Sequence, residues 1–185
     1  MITIRQLEPL RLLIREARVA GKTVGLVPTM GALHEGHLSL VRLAKRESAF
    51  TVVSVFVNPL QFGPNEDLSR YPRNEAEDAR ALEREGVDLL YLPQSSAFYP
   101  PDFCTAVEVS GVSEGGEGAR RPGHFRGVAT VVAKLFLQVQ PDLAVFGRKD
   151  LQQTAVIRRL VRDLDFPLRL LVGETIRESD GLAMS

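Results

Sequence analysis

The sequence predicts an α/β domain with a mostly parallel sheet and helices on both of its faces. Three observations carry that reading. Short apolar runs without a polar face recur along the chain, as strands covered on both sides require. Segments with apolar residues three and four apart separate them, as amphipathic crossover helices do. The turns richest in glycine and histidine fall directly after the apolar runs, where open parallel sheets bind ligands.

Taken in order, residues 4–20 carry an apolar stripe of Leu10, Leu13, Ile14 and Ala17 and predict a helix that Gly21 closes. TVGLVPTM (23–30) predicts a buried strand ending at Pro28, and Leu40, Leu43 and Ala44 mark a helix after Gly36. FTVVSVFVN (50–58) is the second strand. In YPRNEAEDARALEREG, Asn74 with Glu77 three residues on resembles a capping box. VDLLYLP (87–93) is the third strand. Residues 94–125 read as irregular, with Pro100, Pro101, Gly115, Gly116, Gly118 and Pro122, and with room for one short strand at 105–109. Val128, Val131, Val132, Leu135 and Val139 predict a helix stopped by Pro141, and DLAVFG (142–147) a fourth strand. Ile157, Leu160, Val161 and Leu164 mark another helix, and RLLVGETIRE (169–178) a last strand or pair of strands.

At 185 residues one domain is expected. Lys plus Arg and Asp plus Glu both number 23, so the chain lacks the broad charge imbalance of a nucleic-acid or anionic-membrane binder. Cys104 is the only cysteine, which excludes an intrachain disulfide and suits a reducing, cytoplasmic compartment. No apolar run nears the ~18 residues that span a bilayer. Arg5, Arg11, Arg15 and Arg18 break up the N-terminal apolar stretch, which argues against a signal peptide.

Four strand-end clusters carry chemistry. PTMGALHEGH (28–37) leads from a strand into a helix, where free backbone N–H groups bind phosphate. His34 and His37, three apart, share a helix face and can stabilise charge growing on a phosphate. A zincin pattern needs histidines four apart, and no third ligand is evident here. In FVNPLQFGP (56–64), Asn58 and Gln61 offer amides suited to an uncharged, hydroxyl-bearing group, or sit incidentally in a proline turn. In VFGRKDLQQT (145–154), Lys149 can hold a phosphate, Asp150 suits a helix start or a ribose hydroxyl, and Gln153 lies one turn on. Arg120, Arg121, His124 and Arg126 form the most basic patch, either an anion-binding loop or a solvated turn.

The runs VPTMGALHEGH, FVNPLQFGPNED, RPGHFRGV, FGRKDLQQ and ETIRESDGLAMS, in this order across nearly the whole chain, resemble the motifs of the pantothenate synthetase family, the pantoate–β-alanine ligases that form AMP. The His34-Glu35-Gly36-His37 element alone would indicate only the wider nucleotidyltransferase group. The resemblance implies a Rossmann-like fold of the nucleotidyltransferase and class I synthetase-like kind. It implies that pantoate's carboxylate attacks the α-phosphorus of Mg-ATP, giving pantoyl adenylate and pyrophosphate. β-Alanine's amine then displaces AMP and forms pantothenate. The cofactors implied are ATP and Mg²⁺, and the assembly implied is a homodimer.

By the same resemblance Met30, Gly31, Ala32, Leu33, His34, Glu35, Gly36 and His37 form an ATP-binding element, with His37 as proton donor and His34 assisting. Gly147, Arg148, Lys149 and Asp150 form a second ATP-binding run, with Lys149 on phosphate. Ile176 contacts adenine through its backbone, and Met184 and Ser185 begin a further ATP-binding run. Gln61 contacts pantoate and lies near the β-alanine site, and Gln153 is the second pantoate glutamine. The Mg²⁺ ligands are unassigned. Glu77 and Asp78 are candidates, and Glu77 is equally a helix cap.

The chain departs from the family pattern twice. Arg148 stands where the family has Glu, and alternation beside Lys149 points it away from a ligand. The chain ends at Ser185, where the family continues with Ser-Arg-Asn and a smaller C-terminal lid. The expectation is therefore an N-terminal nucleotide- and pantoate-binding domain over 1–176, the start of a hinge over 177–185, and a chain that binds ligands but turns over poorly. Two other readings stand beside this one. A plain nucleotidyltransferase would use the histidine element equally well, although the Gln61 and Gln153 amides favour a small hydroxy acid. A folded dimerisation unit without chemistry is the other.

Overall fold

Consecutive residues of the central strands send their side chains into two different cores. Val24, Leu26, Val52, Leu89 and Ala144 belong to one, and Val27, Val53, Leu90 and Val145 to the other. Period-two alternation with apolar residues on both sides makes a strand interior to a covered parallel sheet. The computed structural model describes residues 1–185 apart from Pro64, Asn65, Asp67 and Arg73, and of Ser69 the backbone alone.

The strands are β1 (Ile2–Ile4), β2 (Val24–Thr29), β3 (Phe50–Val55), β4 (Leu89–Tyr91), β5 (Leu143–Gly147) and β6 (Arg169–Gly173). They form one sheet in the order β1-β4-β3-β2-β5-β6, with every pairing parallel. The helices are α1 (Leu7–Val19), α2 (Glu35–Glu47), α3 (Glu75–Arg84), α4 (Ser95–Phe98), α5 (Gly116–Arg120), α6 (His124–Val139) and α7 (Leu151–Asp163), with 3₁₀ turns at Pro59–Gln61 and Leu68–Arg70. Residues of α1, α6 and α7 fill the first core, and residues of α2 and α3 fill the second. The fold is the α/β class expected, with helices on both faces.

The order of strands places the functional crevice. From β2 the chain builds outward through β3 and β4, then returns to lay β5 on the other flank of β2. Such a reversal point is where ligands bind. Pairing of β2 with β5 is confined to Gly25–Leu143 and Leu26–Ala144, whereas β2 and β3 pair over their full length. Pro28, which has no N–H to give, lies just beyond the last pair with β5, and there the two strands part.

Several sequence expectations need correction. Residues 4–20 do not form one helix, because Ile2–Ile4 pair with Leu89–Tyr91 and the helix begins at Leu7. A three-residue edge strand carries too little periodicity to be read locally. β2 continues through Pro28 to Thr29. Residues 105–109 form no strand. Val107 donates its N–H to Thr130 Oγ1 of α6 (3.0 Å) instead of to a neighbouring strand. The stretch read as irregular contains α4 and α5. Past β6, Arg177 and Ala183 form an isolated antiparallel bridge, so the last run is one strand and a tight return.

Candidate functional site

A cavity of about 530 Å³ opens at the carboxyl ends of β2, β3, β5 and β6, within the usual size of small-molecule sites. Its apolar wall is Val128, Val131, Val132 and Leu135 of α6 with Phe146 of β5. The helical stripe read as plain core therefore also lines a ligand space.

Between β2 and α2 the backbone turns sharply, with Gly31 at φ 86° and Ala32 at φ 51°. Asp78 of α3, buried beneath this turn, holds it. Its Oδ2 accepts from the Ala32 N–H (3.0 Å) and its Oδ1 from the Leu33 N–H (2.8 Å). A side chain at position 31 would put a carbon 2.9 Å from Asp78 Oδ2, so glycine is required twice over. The turn delivers His34 to the N-cap of α2. His34 Nδ1 accepts from the Gly36 N–H (3.1 Å), and His37 Nδ1 accepts from the His34 N–H (3.4 Å), a capping box made of two imidazoles. The ring centroids are 4.2 Å apart, and both rings line the cavity. With each Nδ1 spent as an acceptor, the proton of each neutral ring sits on Nε2.

Burial, then His34, then Lys149 lower the His37 pKa to about 4, so at neutral pH this ring is uncharged. The His34 pKa is lowered as well, by burial first and then by Lys149. Lys149 lines the same cavity from the turn after β5, and its Nζ donates to Ser185 Oγ (3.1 Å). Two neutral N–H donors beside an ammonium make a cradle for an anion.

The cavity also gathers Met30, Gly31, Ala32, Gly36, Gln61, Gly147, Asp150, Gln153, Ile176, Met184 and Ser185 of the expected residues. Three do not reach it. Leu33 packs against the core beneath α2, Glu35 pairs with Arg42, and Arg148 pairs with Glu174 (3.0 Å). The alternation beside Lys149 does turn Arg148 away. The expected end of FVNPLQFGPNED, at Pro64, Asn65 and Asp67, lies outside the described residues.

The basic patch divides. Arg120 and Arg126 are exposed and outside the cavity. Arg121 lines it but is held by Glu66 (2.6 and 3.0 Å) and Glu117 (2.7 Å). His124 is buried, donating from Nδ1 to the Gln61 carbonyl (2.9 Å). The patch is thus a brace for the Gln61 segment. Tyr71, which the sequence reading missed, also lines the cavity. Burial raises its pKa, helped by Asp78 and Asp150. It follows a polar loop without periodicity, so nothing local marks it.

Among the described residues no three His, Cys, Asp or Glu side chains cluster to hold a metal ion. Asp78 is spent on two backbone amides, and Glu77 Oε2 accepts from Asn74 Nδ2 (2.6 Å). Neither fits a protein-held Mg²⁺.

Fold and site together define a nucleotidyltransferase-like α/β domain with an anion cradle at a helix N-terminus. The profile of the Pantoate-beta-alanine ligase family matches residues 2–185, and the chain belongs to that family. It is 55% identical over 185 residues to the pantothenate synthetase of Thermoanaerobacter sp. (strain X514), covering all of this chain and 65% of that one. The crystal structure of pantothenate synthetase from Thermus thermophilus superposes with a TM-score of 0.95 at 54% identity, over 100% of this chain and 66% of that one. The pantoate-beta-alanine ligase of Francisella tularensis, described as complexed with beta-gamma ATP and beta-alanine, superposes with a TM-score of 0.95 at 37% identity, over 100% of this chain and 71% of that one. The chain thus spans about 65% of the length of the curated relatives it matches.

Proposed function

We propose that this domain binds ATP and pantoate for the ATP-dependent condensation of pantoate with β-alanine, by way of pantoyl adenylate, as a cytoplasmic ligase of pantothenate biosynthesis. The observation that carries the proposal is one cavity holding His34, His37 and Lys149 together with the amides of Gln61 and Gln153.

A carboxylate is a poor electrophile, and adenylation gives it a good leaving group. In the first step a pantoate carboxylate oxygen forms a bond to the α-phosphorus as the bond to pyrophosphate breaks. Charge grows on the α-phosphate oxygens, which the Nε2–H groups of His34 and His37 and the Lys149 ammonium meet. His37 enters as a neutral N–H donor, because burial keeps its pKa near 4 before an anion arrives. This refines the proton-donor role that the family resemblance implies. Magnesium would travel on the triphosphate, where it neutralises charge. In the second step the β-alanine amine attacks the acyl carbon and AMP leaves. No enzyme nucleophile is needed, so positioning and charge stabilisation supply the catalysis. Residues 1–176 hold the ligands and 177–185 close one edge of the site. Residues 1–185 taken by themselves are expected to turn over poorly, because water that reaches the acyl adenylate hydrolyses it. Dimerisation follows the family.

The decisive experiment is exchange of labelled pyrophosphate into ATP. Exchange that depends on pantoate supports the proposal. Exchange that responds to phosphopantetheine and ignores pantoate overturns it in favour of a plain nucleotidyltransferase. Absence of any heat with millimolar ATP would leave only the assembly role.

A further inference from the structure

From Tyr99 behind the cavity wall to Asn58 and Gln61 in it runs a chain of hydrogen bonds whose direction is fixed by backbone groups. Asn58, 1% exposed, sits at its centre. Its Oδ1 accepts from the Leu60 N–H (3.3 Å) and lies 3.0 Å from the Tyr99 hydroxyl. Its Nδ2 lies 3.1 Å from the Gly127 carbonyl and 3.1 Å from Gln61 Oε1. A backbone N–H can only donate and a carbonyl only accept. Leu60 and Gly127 therefore set which end of the Asn58 amide points where. The Tyr99 hydroxyl must donate, and the second Asn58 N–H must go to Gln61 Oε1. With its carbonyl turned to Asn58, Gln61 has its amide nitrogen as the other end, which rests 3.1 Å from Met30 Sδ.

The Tyr99 ring is itself clamped. It meets Phe98 and Phe103 with centroids 4.9 Å away in each case, and Lys134 Nζ lies 5.5 Å above it. Tyr99 does not line the cavity.

We infer that Tyr99 is a positioning residue which secures Asn58 in the orientation that Leu60 and Gly127 set, and through it holds the Gln61 amide with its N–H group toward the cavity, so that this position selects a ligand oxygen that accepts a hydrogen bond. The inference deepens the proposed function and rests on Gln61 as a contact to the hydroxy acid. Gln153, by contrast, has no partner among the described residues and can present either end of its amide.

The test is titration calorimetry of the whole chain with D-pantoate and, separately, with ATP. Tyr99→Phe keeps the ring and removes the donor, leaving the Asn58 carbonyl with one long bond. It is expected to weaken pantoate binding by about fivefold to tenfold, as for one lost hydrogen bond, and to leave ATP binding unchanged. Pantoate affinity within about twofold of the parent, or an equal loss for ATP, would overturn the inference. Gln61→Glu does not touch the aromatic cluster and carries the same question. It keeps an acceptor for Asn58 but replaces the cavity-facing N–H with oxygen. Loss of pantoate with ATP retained is expected, and retained pantoate affinity overturns the inference. A parent protein that binds ATP but no pantoate overturns the functional reading instead. The relay then stands or falls on whether Tyr99→Phe shifts the Asn58 and Gln61 side-chain amide resonances.

Discussion

The backbone N–H of His34 donates to the Nδ1 of His37, and this one bond joins a helix cap to an anion site. It fixes the tautomer, leaving Nε2–H as the free donor, and it makes the ring part of the fold as well as of the cradle. The consequences of this double role can be measured.

Histidine NMR titration of the ligand-free protein should place the His37 pKa near 4. Pyrophosphate or ATP should raise it, because a neighbouring anion favours the protonated ring. A His37 that titrates near 6.5 without ligand would contradict the burial argument. On the proposed mechanism His37→Ala should raise the adenylation barrier by about 2–4 kcal/mol, as loss of one preorganised donor does. Unchanged pantoate-dependent exchange would remove His37 from the mechanism.

Stability should fall with acid in a defined window. The unfolded imidazole takes its proton near 6.5, whereas the folded one resists until about 4. Between those values the unfolded state binds more protons, so the contribution present above pH 6.5 declines toward pH 4. For this partly exposed ring it amounts to about 1–3 kcal/mol. Urea unfolding at a series of pH values should show the decline, flatter in His37→Gln.

Asp78→Asn should loosen the turn between β2 and α2. An asparagine keeps one acceptor oxygen where two backbone amides now bond a carboxylate, at 2.8 and 3.0 Å. A loss of about 1–3 kcal/mol in stability is expected, with weaker ATP binding. Stability equal to that of the parent would show that the turn holds without this brace.

Gly127→Ala tests the close approach of α6 to the Gln61 segment. An added carbon would lie 2.2 Å from the Leu60 carbonyl oxygen and 2.6 Å from the Gln61 nitrogen, both backbone atoms. At Gly173 the nearest atom, 2.3 Å away, is Cδ2 of the Leu40 side chain, which can rotate. Denaturation should show about 1–3 kcal/mol lost for Gly127→Ala and less for Gly173→Ala. The first should also weaken pantoate binding. Equal losses at the two positions would refute the distinction.

The central strands and the long helices were legible because their apolar spacing is a local property of the chain. The histidine pair and Lys149 were legible because they follow apolar runs, and parallel sheets bring such ends to one edge. Tyr71, the Glu66–Arg121–Glu117 brace and the two-residue pairing between β2 and β5 left no local mark. Neither did the tie from Tyr99 through Asn58 to Gln61, which spans residues 41 apart before it turns back three. Patterning alone decided which long segments become the central strands and which turns carry charge, since hydrophobic burial follows periodicity. Which nitrogen of each imidazole is free, which end of an amide is tied to its neighbour and which arginine is already spent were decided only by the tertiary structure. Those properties depend on directional bonds to groups that the sequence keeps far apart and the packing brings within about 3 Å.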